Sequence, residues 1–142
     1  NVLNGKNLIE KYILVHEFPT MNKDINDYLS DYKSDLLNRK IRTFNDTNWF
    51  EWGALRNFKT ISTNLGKECI YISTLTRSHE VAFVDKVQYF GGSLIIMIPK
   101  TEINLNKVVQ YLNSIEFKKN YIYSGRFKIG HKQLCNAMFA NN

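Results

Sequence analysis

The sequence predicts a single α+β domain with a mixed or antiparallel sheet, one hairpin and about three helices. Segments rich in β-branched and aromatic residues are interleaved with segments whose apolar residues recur at helical spacing. A length of 142 residues suits one domain, and an apolar share of 44% is enough for a hydrophobic core. No repeat, low-complexity stretch or linker divides the chain, so we expect residues 1–142 to form one domain.

The first third of the chain predicts a strand followed by a helix. The segment Leu8–Phe18 is rich in β-formers and stops at Pro19, which indicates a strand. Asn22 can cap a helix that runs to about Asn38. Its apolar face carries Ile25, Tyr28, Leu29, Tyr32 and Leu36. Residues 39–59 hold both tryptophans and show no periodicity, so we expect irregular structure there.

Strands and two further helices are predicted after Gly66. The predicted strands are Glu68–Leu75, Val81–Phe90 and Ser93–Pro99. The last two are expected to form a hairpin around Gly91-Gly92, because glycine supplies the positive φ of tight turns. Asn104 can cap a helix, and His131–Ala140 indicates a short final helix after a Tyr-rich, glycine-containing stretch. The inward face of the Asn104-capped helix carries Leu105, Val108, Val109 and Leu112.

The composition argues against several kinds of catalytic or metal site. Cys69 and Cys135 lie far apart and form no CxxC pair, so neither a cysteine zinc site nor a disulfide scaffold is indicated. The histidines have no metal-like spacing; they are His16, His79 and His131. No Gly-x-Ser-x-Gly nucleophile motif or phosphate-binding glycine loop is present. We therefore expect no catalytic residue and no metal ligand in this chain.

The hydropathy pattern predicts neither a membrane span nor a secretion signal. The longest apolar run, Leu94–Pro99, is far shorter than the roughly 18 residues that a membrane-spanning helix needs. We therefore expect a cytoplasmic protein with no membrane partner. The chain begins with Asn1 rather than Met, which we interpret as a piece of a longer polypeptide.

Charge gives the first indication of a binding partner. The chain carries 19 Lys and Arg against 13 Asp and Glu, a net charge of +6. The surplus is uneven, with −2 over residues 1–38 and +8 over residues 39–142. Such a one-sided positive field favours a polyanionic partner, either nucleic acid or a membrane surface.

The tryptophan-rich segment Asn48–Gly53 is the first candidate binding site. Trp49 and Trp52 are followed by a polar group of three, Arg56, Asn57 and Lys59. Exposed tryptophans beside cations can stack on bases, and an Arg-Asn pair offers the donors and acceptors that read guanine and adenine edges. The alternative is that one or both tryptophans are core anchors, and the sequence leaves this open.

Three further groups complete the candidate DNA-binding residues. The stretch 121–132 offers a tight Ser-Gly-Arg turn and several cations suited to phosphate or base contacts. A loop between two predicted strands carries Arg77 and His79, and Arg42 follows the first helix, where it would also favour the helix dipole. The candidates within 121–132 are Ser124, Arg126, Lys128, His131 and Lys132.

The order of these segments resembles a known kind of domain. The chain reads "LLNRKIR", "NWFEWGALRN", "KECIYIS", "VQYFGGSLIIMIPK" and then "YLNSIEFKKNYIYSGRFKIGHKQLCN". From about Tyr12 to its end it is similar to the C-terminal target-recognition domain of N6-adenine DNA methyltransferases from restriction–modification systems, the TaqI-like specificity domain. The most specific parts are the Trp-rich segment, the Leu112-Asn113-Ser114 helix end and the Ser-Gly-Arg-Phe stretch.

This resemblance implies a division of labour within a longer enzyme. In such enzymes an N-terminal catalytic domain binds S-adenosylmethionine and methylates a flipped adenine, and the C-terminal domain reads double-stranded DNA. The catalytic motif has two adjacent prolines, whereas Pro19 and Pro99 stand far apart here, and the cofactor loop is missing. The expected partners are therefore double-stranded DNA and the N-terminal catalytic domain of the same polypeptide, with no cofactor bound by this fragment.

Three alternatives stay open at the level of sequence. In the first alternative the DNA-recognition role is the same, but the parent protein is a specificity subunit of a multi-subunit restriction system or a fused restriction–modification polypeptide. An RNA-binding module also uses aromatic residues beside cations. A protein-interaction domain with an incidental basic surface is the third alternative.

Overall fold

A computed structural model describes residues 1–53 and 57–137, which fold into two compact units. The larger unit contains residues 1–10 and the described residues from 59 onward, and the smaller unit contains residues 11–58 apart from 54–56. Helices and antiparallel sheets are both present, so the predicted α+β class is confirmed. No helix among the described residues is long and apolar enough to cross a membrane.

The strands and helices are short. The strands are β1 (Val2–Gly5), β2 (Leu8–Glu10), β3 (Glu68–Ser73), β4 (Leu75–Thr76), β5 (Ala82–Lys86), β6 (Leu94–Met97), β7 (Ile122–Tyr123) and β8 (Arg126–Lys128). The helices are α1 (Lys23–Asp31), α2 (Lys33–Leu37), α3 (Phe58–Asn64), α4 (Leu105–Leu112), α5 (Ile115–Lys118) and α6 (His131–Cys135). A 3-10 turn, Lys119–Tyr121, follows α5.

Among the described residues, the larger unit contains three antiparallel sheets. Strand β3 lies at the centre of the order β5-β3-β6, while β1 pairs with β2, and β8 lies at the centre of β4-β8-β7. The predicted hairpin is therefore wrong, because β5 and β6 each pair with β3 and not with one another. The physical reason is burial: Ile70, Tyr71 and Ile72 are all buried, so β3 is covered on both faces and takes the central position.

The core of the larger unit is formed by two clusters of buried side chains. One cluster contains β3 residues together with residues of α4, α5, β8 and α6: Ile70, Ile72, Val81, Ala82, Leu112, Phe117, Phe127, Ile129 and Leu134. The other contains the alternate β3 residues with α3 and β1: Leu3, Ile61, Cys69, Tyr71, Phe83, Val87 and Leu94. The alternation along β3 thus assigns its side chains to the two clusters in turn.

The predicted helices are largely confirmed. The Asn22 side chain accepts a hydrogen bond from the Ile25 N–H at 3.2 Å, and helix α1 begins at the next residue after this cap. The chain breaks at Tyr32 before α2 continues to Leu37. The Asn104 side chain caps α4 in the same way, accepting from the Lys107 N–H at 3.1 Å. Helix α3 was not predicted, and the last residues of the predicted final helix, 138–140, lie outside the described residues.

The predicted strand Leu8–Phe18 is wrong beyond Glu10. Residues 11–18 form no strand, and in the smaller unit their side chains and carbonyls contact the tryptophan-rich segment. The Phe18 ring lies 4.8 Å from the Trp49 ring, and the Trp52 indole N–H donates to the Ile13 carbonyl at 2.6 Å. These contacts are with an irregular segment and not with a sheet, which is why the β-forming residues do not produce a strand.

Candidate nucleic-acid interface

The sheet β4-β8-β7 has one face in the core and one face in solvent. Along β8, Phe127 is 2% exposed, whereas its neighbours Arg126 and Lys128 are exposed. Lys128 lies directly opposite Leu75 of β4, and Arg126 lies directly opposite Tyr123 of β7. Because opposite residues of an antiparallel pair share a face, all four side chains lie on the solvent face. We call this group, Leu75, Tyr123, Arg126 and Lys128, the exposed sheet face.

The cations of the exposed sheet face are available to a ligand. Neither Arg126 nor Lys128 forms an ion pair with any residue in 1–53 or 57–137. Arg77 follows Thr76, which pairs with Phe127 next to Arg126, so Arg77 lies at the Arg126 end of the sheet. Two arginines predicted from separate motifs are thus brought to the same end of one small sheet.

The turn between β7 and β8 is as tight as its sequence indicates. Ser124 has a φ of 50° and Gly125 a φ of 72°, and two residues join the paired strands at Tyr123 and Arg126. Two positive φ values in a two-residue turn are those of a type I′ hairpin, which matches the twist of the strands. Ser124 is exposed at the tip, so its hydroxyl is open to solvent.

The loop that carries Arg77 and His79 is held at several points. The Ser78 N–H donates to the Thr76 hydroxyl at 3.0 Å, and the Lys118 ammonium donates to the His79 carbonyl at 2.7 Å. Lys6 forms an ion pair with Glu80 at 2.6 Å. The backbone of the loop is therefore fixed, while the side chains of Arg77 and His79 are exposed.

Asn113 anchors the exit of this loop, a role that sequence reasoning missed. Its side-chain oxygen accepts hydrogen bonds from the Val81 N–H at 2.7 Å and the Ala82 N–H at 3.0 Å. The neighbouring Ser114 caps α5 by accepting from the Phe117 N–H at 3.2 Å. Each residue of the Leu-Asn-Ser segment therefore has a structural role, since Leu112 is fully buried in the core. The signal in the sequence that could have indicated this role is the position of Asn113, a polar residue between an apolar helix and the cap of the next helix.

Helix α6, which follows β8 in the chain, carries two more of the predicted residues, His131 and Lys132. Gln133 accepts from the Gly130 N–H at 2.9 Å and donates to the Tyr123 hydroxyl at 3.5 Å, which links the start of α6 to β7. His131 and Lys132 are exposed in the first turn. His131 lies with its Nδ1 3.6 Å from the Cys135 sulfur.

A cleft in the larger unit borders the exposed sheet face. It encloses about 290 Å³ and shares Leu75 with that face. The remaining lining is largely hydroxyl and amide: Asn4, Gly5, Lys6, Ser73, Thr76, Ser78, Glu80, Phe83 and Ser93. Among the described residues, no group of three or more His, Cys, Asp or Glu side chains is arranged to hold a metal ion.

The tryptophans of the smaller unit have a structural role. Trp49 is 3% exposed and packs edge-on against Phe18, with the Lys33 ammonium 5.4 Å from its ring. The Trp52 indole is bonded to Ile13 and lies 5.7 Å from the Tyr12 ring. The core-anchor alternative is therefore the one that the structure shows for Trp49, because a buried ring cannot stack on a base. Trp52 is half-buried, and its N–H is already used.

Two arginines in the smaller unit hold the same segment. Arg39 donates to the carbonyls of Leu36, Trp49 and Glu51 at 2.8, 2.7 and 2.9 Å, and its guanidinium lies 3.9 Å from the Phe44 ring. Burial, with a smaller contribution from Arg42, lowers the pKa of Arg39. Arg42 forms an ion pair with Glu51 at 2.5 Å. The charge of Arg42 is therefore partly neutralised, which makes it a weaker candidate for DNA contact.

The polar group predicted after the tryptophans consists of Arg56, Asn57 and Lys59, and Arg56 lies outside the described residues. Asn57 is exposed with a φ of 57°, a conformation in which asparagine is tolerated better than most residues. Lys59 is exposed in the first turn of α3.

The net positive charge belongs to the larger unit. Residues 1–10 and 59–142 carry twelve Lys and Arg against six Asp and Glu, a net of +6. Residues 11–58 carry seven of each and are neutral. The unit that contains the exposed sheet face is thus the basic one.

Comparison with known proteins gives one informative similarity. Over 142 residues, 99% of this chain, the sequence is 28% identical to the type II methyltransferase M.MjaIV of Methanocaldococcus jannaschii. The chain spans 46% of that protein, about half its length. No family profile and no solved structure matches the chain. The chain is therefore similar to part of a type II methyltransferase, which agrees with the resemblance at this coarser level.

Proposed function

We propose that residues 1–142 form the double-stranded DNA recognition domain of a site-specific adenine-N6 DNA methyltransferase of a restriction–modification system. The observation that carries the proposal is the exposed sheet face, where Arg126 and Lys128 are solvent-exposed and free of ion pairs within the described residues. The similarity over 99% of the chain to part of a type II methyltransferase supports the same reading.

The β7–β8 hairpin is the element that we assign to the major groove. A groove about 12 Å wide admits a two-stranded ribbon, and arginine reads guanine there through paired hydrogen bonds. Arg126 at the start of β8, and Arg77 at the same end of the sheet, are the residues we assign to base edges. The Ser124 hydroxyl at the tip is assigned to phosphate.

The remaining exposed cations would supply sequence-independent affinity. Lys59, Lys128 and Lys132 are exposed in the basic unit and are assigned to the phosphate backbone. His79 and His131 are also exposed in this unit and are assigned to the same role. Each phosphate that is neutralised releases condensed counterions, so binding should weaken as salt rises.

The catalytic half would lie elsewhere in the parent enzyme. We propose that it is an N-terminal domain of the same polypeptide, that it binds S-adenosylmethionine, and that methylation requires extrusion of the target adenine into it. The present chain would then hold the site in place and catalyse nothing alone, in the cytoplasm where the chromosome is the substrate.

The test is a fluorescence-anisotropy titration of the 142-residue chain against a random-sequence DNA duplex and a single-stranded RNA. We expect preference for the duplex and a log–log salt dependence with a slope of about −0.9 for each phosphate contact. The Lys128→Ala variant, which removes a cation that we assign to the phosphate backbone, should reduce that slope by about one.

Arg42→Ala is the matched control, because its guanidinium is paired with Glu51 and it lies in the neutral unit. It should leave the slope nearly unchanged. Stronger binding to RNA would favour an RNA-binding module, and failure to bind either nucleic acid at low salt would favour a protein-interaction domain. Either result would contradict the proposed function.

A further inference from the structure

Leu75 is an apolar side chain placed among the cations of the exposed sheet face. It is 50% exposed although it lies in a strand, and its direct partner across the sheet is Lys128. Lys128 shares this face with Arg126, two residues earlier on β8. Exposure of single leucines is ordinary, but this one lies directly opposite Lys128 on the surface that we assign to DNA contact.

The rigidity of its surroundings fixes where Leu75 points. Lys128 pairs with Leu75 directly. The backbone pairing continues at the neighbouring residues, where the Ile129 N–H donates to the Thr74 carbonyl at 3.0 Å. Thr76, the following residue, pairs with Phe127 on the core-facing side. The leucine therefore points away from the core and toward whatever ligand the two cations bind.

We propose that Leu75 contacts the C5-methyl group of a thymine in the DNA target, an inference that rests on the proposed function. In the major groove, thymine is the only standard base that presents a methyl group, and proteins detect it by apolar contact. A leucine flanked by cations meets this requirement, because the cations bind the neighbouring phosphates and guanines while the leucine covers the methyl. Leu75 would thus be a specificity-determining residue.

The test compares thymine with deoxyuridine, which differs only by the missing methyl group. A preferred duplex is first selected from a random library with the 142-residue chain, and each thymine in it is then replaced singly by deoxyuridine. We expect one replacement to weaken binding about fourfold, corresponding to the transfer of one methyl group at ~0.8 kcal/mol. Leu75→Ala should abolish the difference between the two duplexes, and Leu75→Met should retain most of it.

Ile122→Ala is the matched control for the leucine variant. Ile122 is 48% exposed in the same sheet, but it lies opposite Phe127 and therefore on the other face. This variant should keep the full effect of the missing methyl, which separates a contact from a general loss of sheet stability. Far-ultraviolet circular dichroism on all three variants confirms folding.

The outcomes separate this inference from the function on which it rests. If the chain selects a site but binds every deoxyuridine duplex as tightly as the thymine duplex, the leucine contact is overturned and DNA recognition stands. The same holds if the selected site has no thymine, or if Leu75→Ala keeps the fourfold effect. If no duplex sequence is enriched at all, the recognition function and the leucine contact fall together.

Discussion

Asn113 and Ala82 are joined by two hydrogen bonds, from the Ala82 N–H to the Asn113 side-chain oxygen at 3.0 Å and from the Asn113 amide to the Ala82 carbonyl at 2.9 Å. A third bond comes from the Val81 N–H at 2.7 Å. One side chain at the end of α4 therefore satisfies three backbone groups at the start of β5. This holds the end of the loop that carries Arg77, so the position of a candidate DNA-reading residue depends on a residue outside the interface.

Asn113→Ala should destabilise the chain by about 2–3 kcal/mol. The substitution leaves three partly buried backbone groups without their partner, and an unsatisfied buried group costs about 1–3 kcal/mol. Urea unfolding followed by circular dichroism measures the free energy of unfolding. Asn120→Ala is the control, because Asn120 is exposed and makes only a 3.5 Å contact to the Glu116 carbonyl. Equal effects of the two substitutions would contradict the anchoring role.

Some elements were predictable because their causes are local. Asn22 and Asn104 each bond the backbone three residues later, and such a cap is visible in a short stretch of sequence. The order β5-β3-β6 was not predictable from Gly91-Gly92, because strand pairing depends on which strand is covered on both faces. The consecutive apolar residues Cys69–Ile72 carry that signal, whereas a glycine pair indicates a turn without showing which strands pair.

Part of the candidate site was also predictable, because its signal is local in the sequence. The Ser-Gly-Arg turn is a local signal, and it places Arg126 on an exposed face. The sequence left the role of the tryptophan-rich segment open, because the partners of Trp49 and Trp52 lie about thirty or more residues earlier, at Phe18 and Ile13. Exposure of an aromatic residue depends on such distant contacts, which composition and spacing do not encode.

Arg39→Ala should destabilise the smaller unit by about 2–3 kcal/mol. The substitution removes hydrogen bonds to three carbonyls and a cation–π contact at 3.9 Å to Phe44. Tryptophan fluorescence during urea unfolding reports on this unit, because Trp49 and Trp52 both belong to it. Lys40→Ala, an exposed neighbour with the same charge, should change the free energy of unfolding by less than about 0.5 kcal/mol. A comparable loss in both variants would show that charge rather than bonding is responsible.

Arg126→Ala should reduce sequence discrimination and leave folding intact. If Arg126 makes paired hydrogen bonds to a guanine, its loss costs about 1–3 kcal/mol of preference for that base. The measurement is competition between the selected duplex and duplexes with single base-pair changes. Lys132→Ala, also exposed in the basic unit, should weaken binding to all sequences equally, as expected for a phosphate contact. Full discrimination by the Arg126 variant would refute its assignment to a base edge.

The chain should lose stability between about pH 9 and pH 11. Burial raises the pKa of the fully buried Cys69 thiol from 9.0 to about 11, and burial also raises the pKa of Tyr71 beside it in the same cluster. The unfolded chain therefore releases these protons at lower pH than the folded chain, so the free energy of unfolding falls as pH rises through this window and is unaffected by these groups below it. Cys69 alone should account for about 1 kcal/mol by pH 10.

Urea unfolding from pH 8 to pH 10.5 measures this loss, and Cys69→Ala should make the pH dependence shallower. Thiol labelling under native conditions gives an independent check, because Cys135 is exposed and Cys69 is not. One thiol per chain should react rapidly at pH 8, and the second only on unfolding, since its sulfur is buried and donates to the Asp85 carbonyl at 3.3 Å. Rapid reaction of two thiols would show that the cluster around Tyr71 opens in the native state, and the high-pH loss of stability would then need another cause.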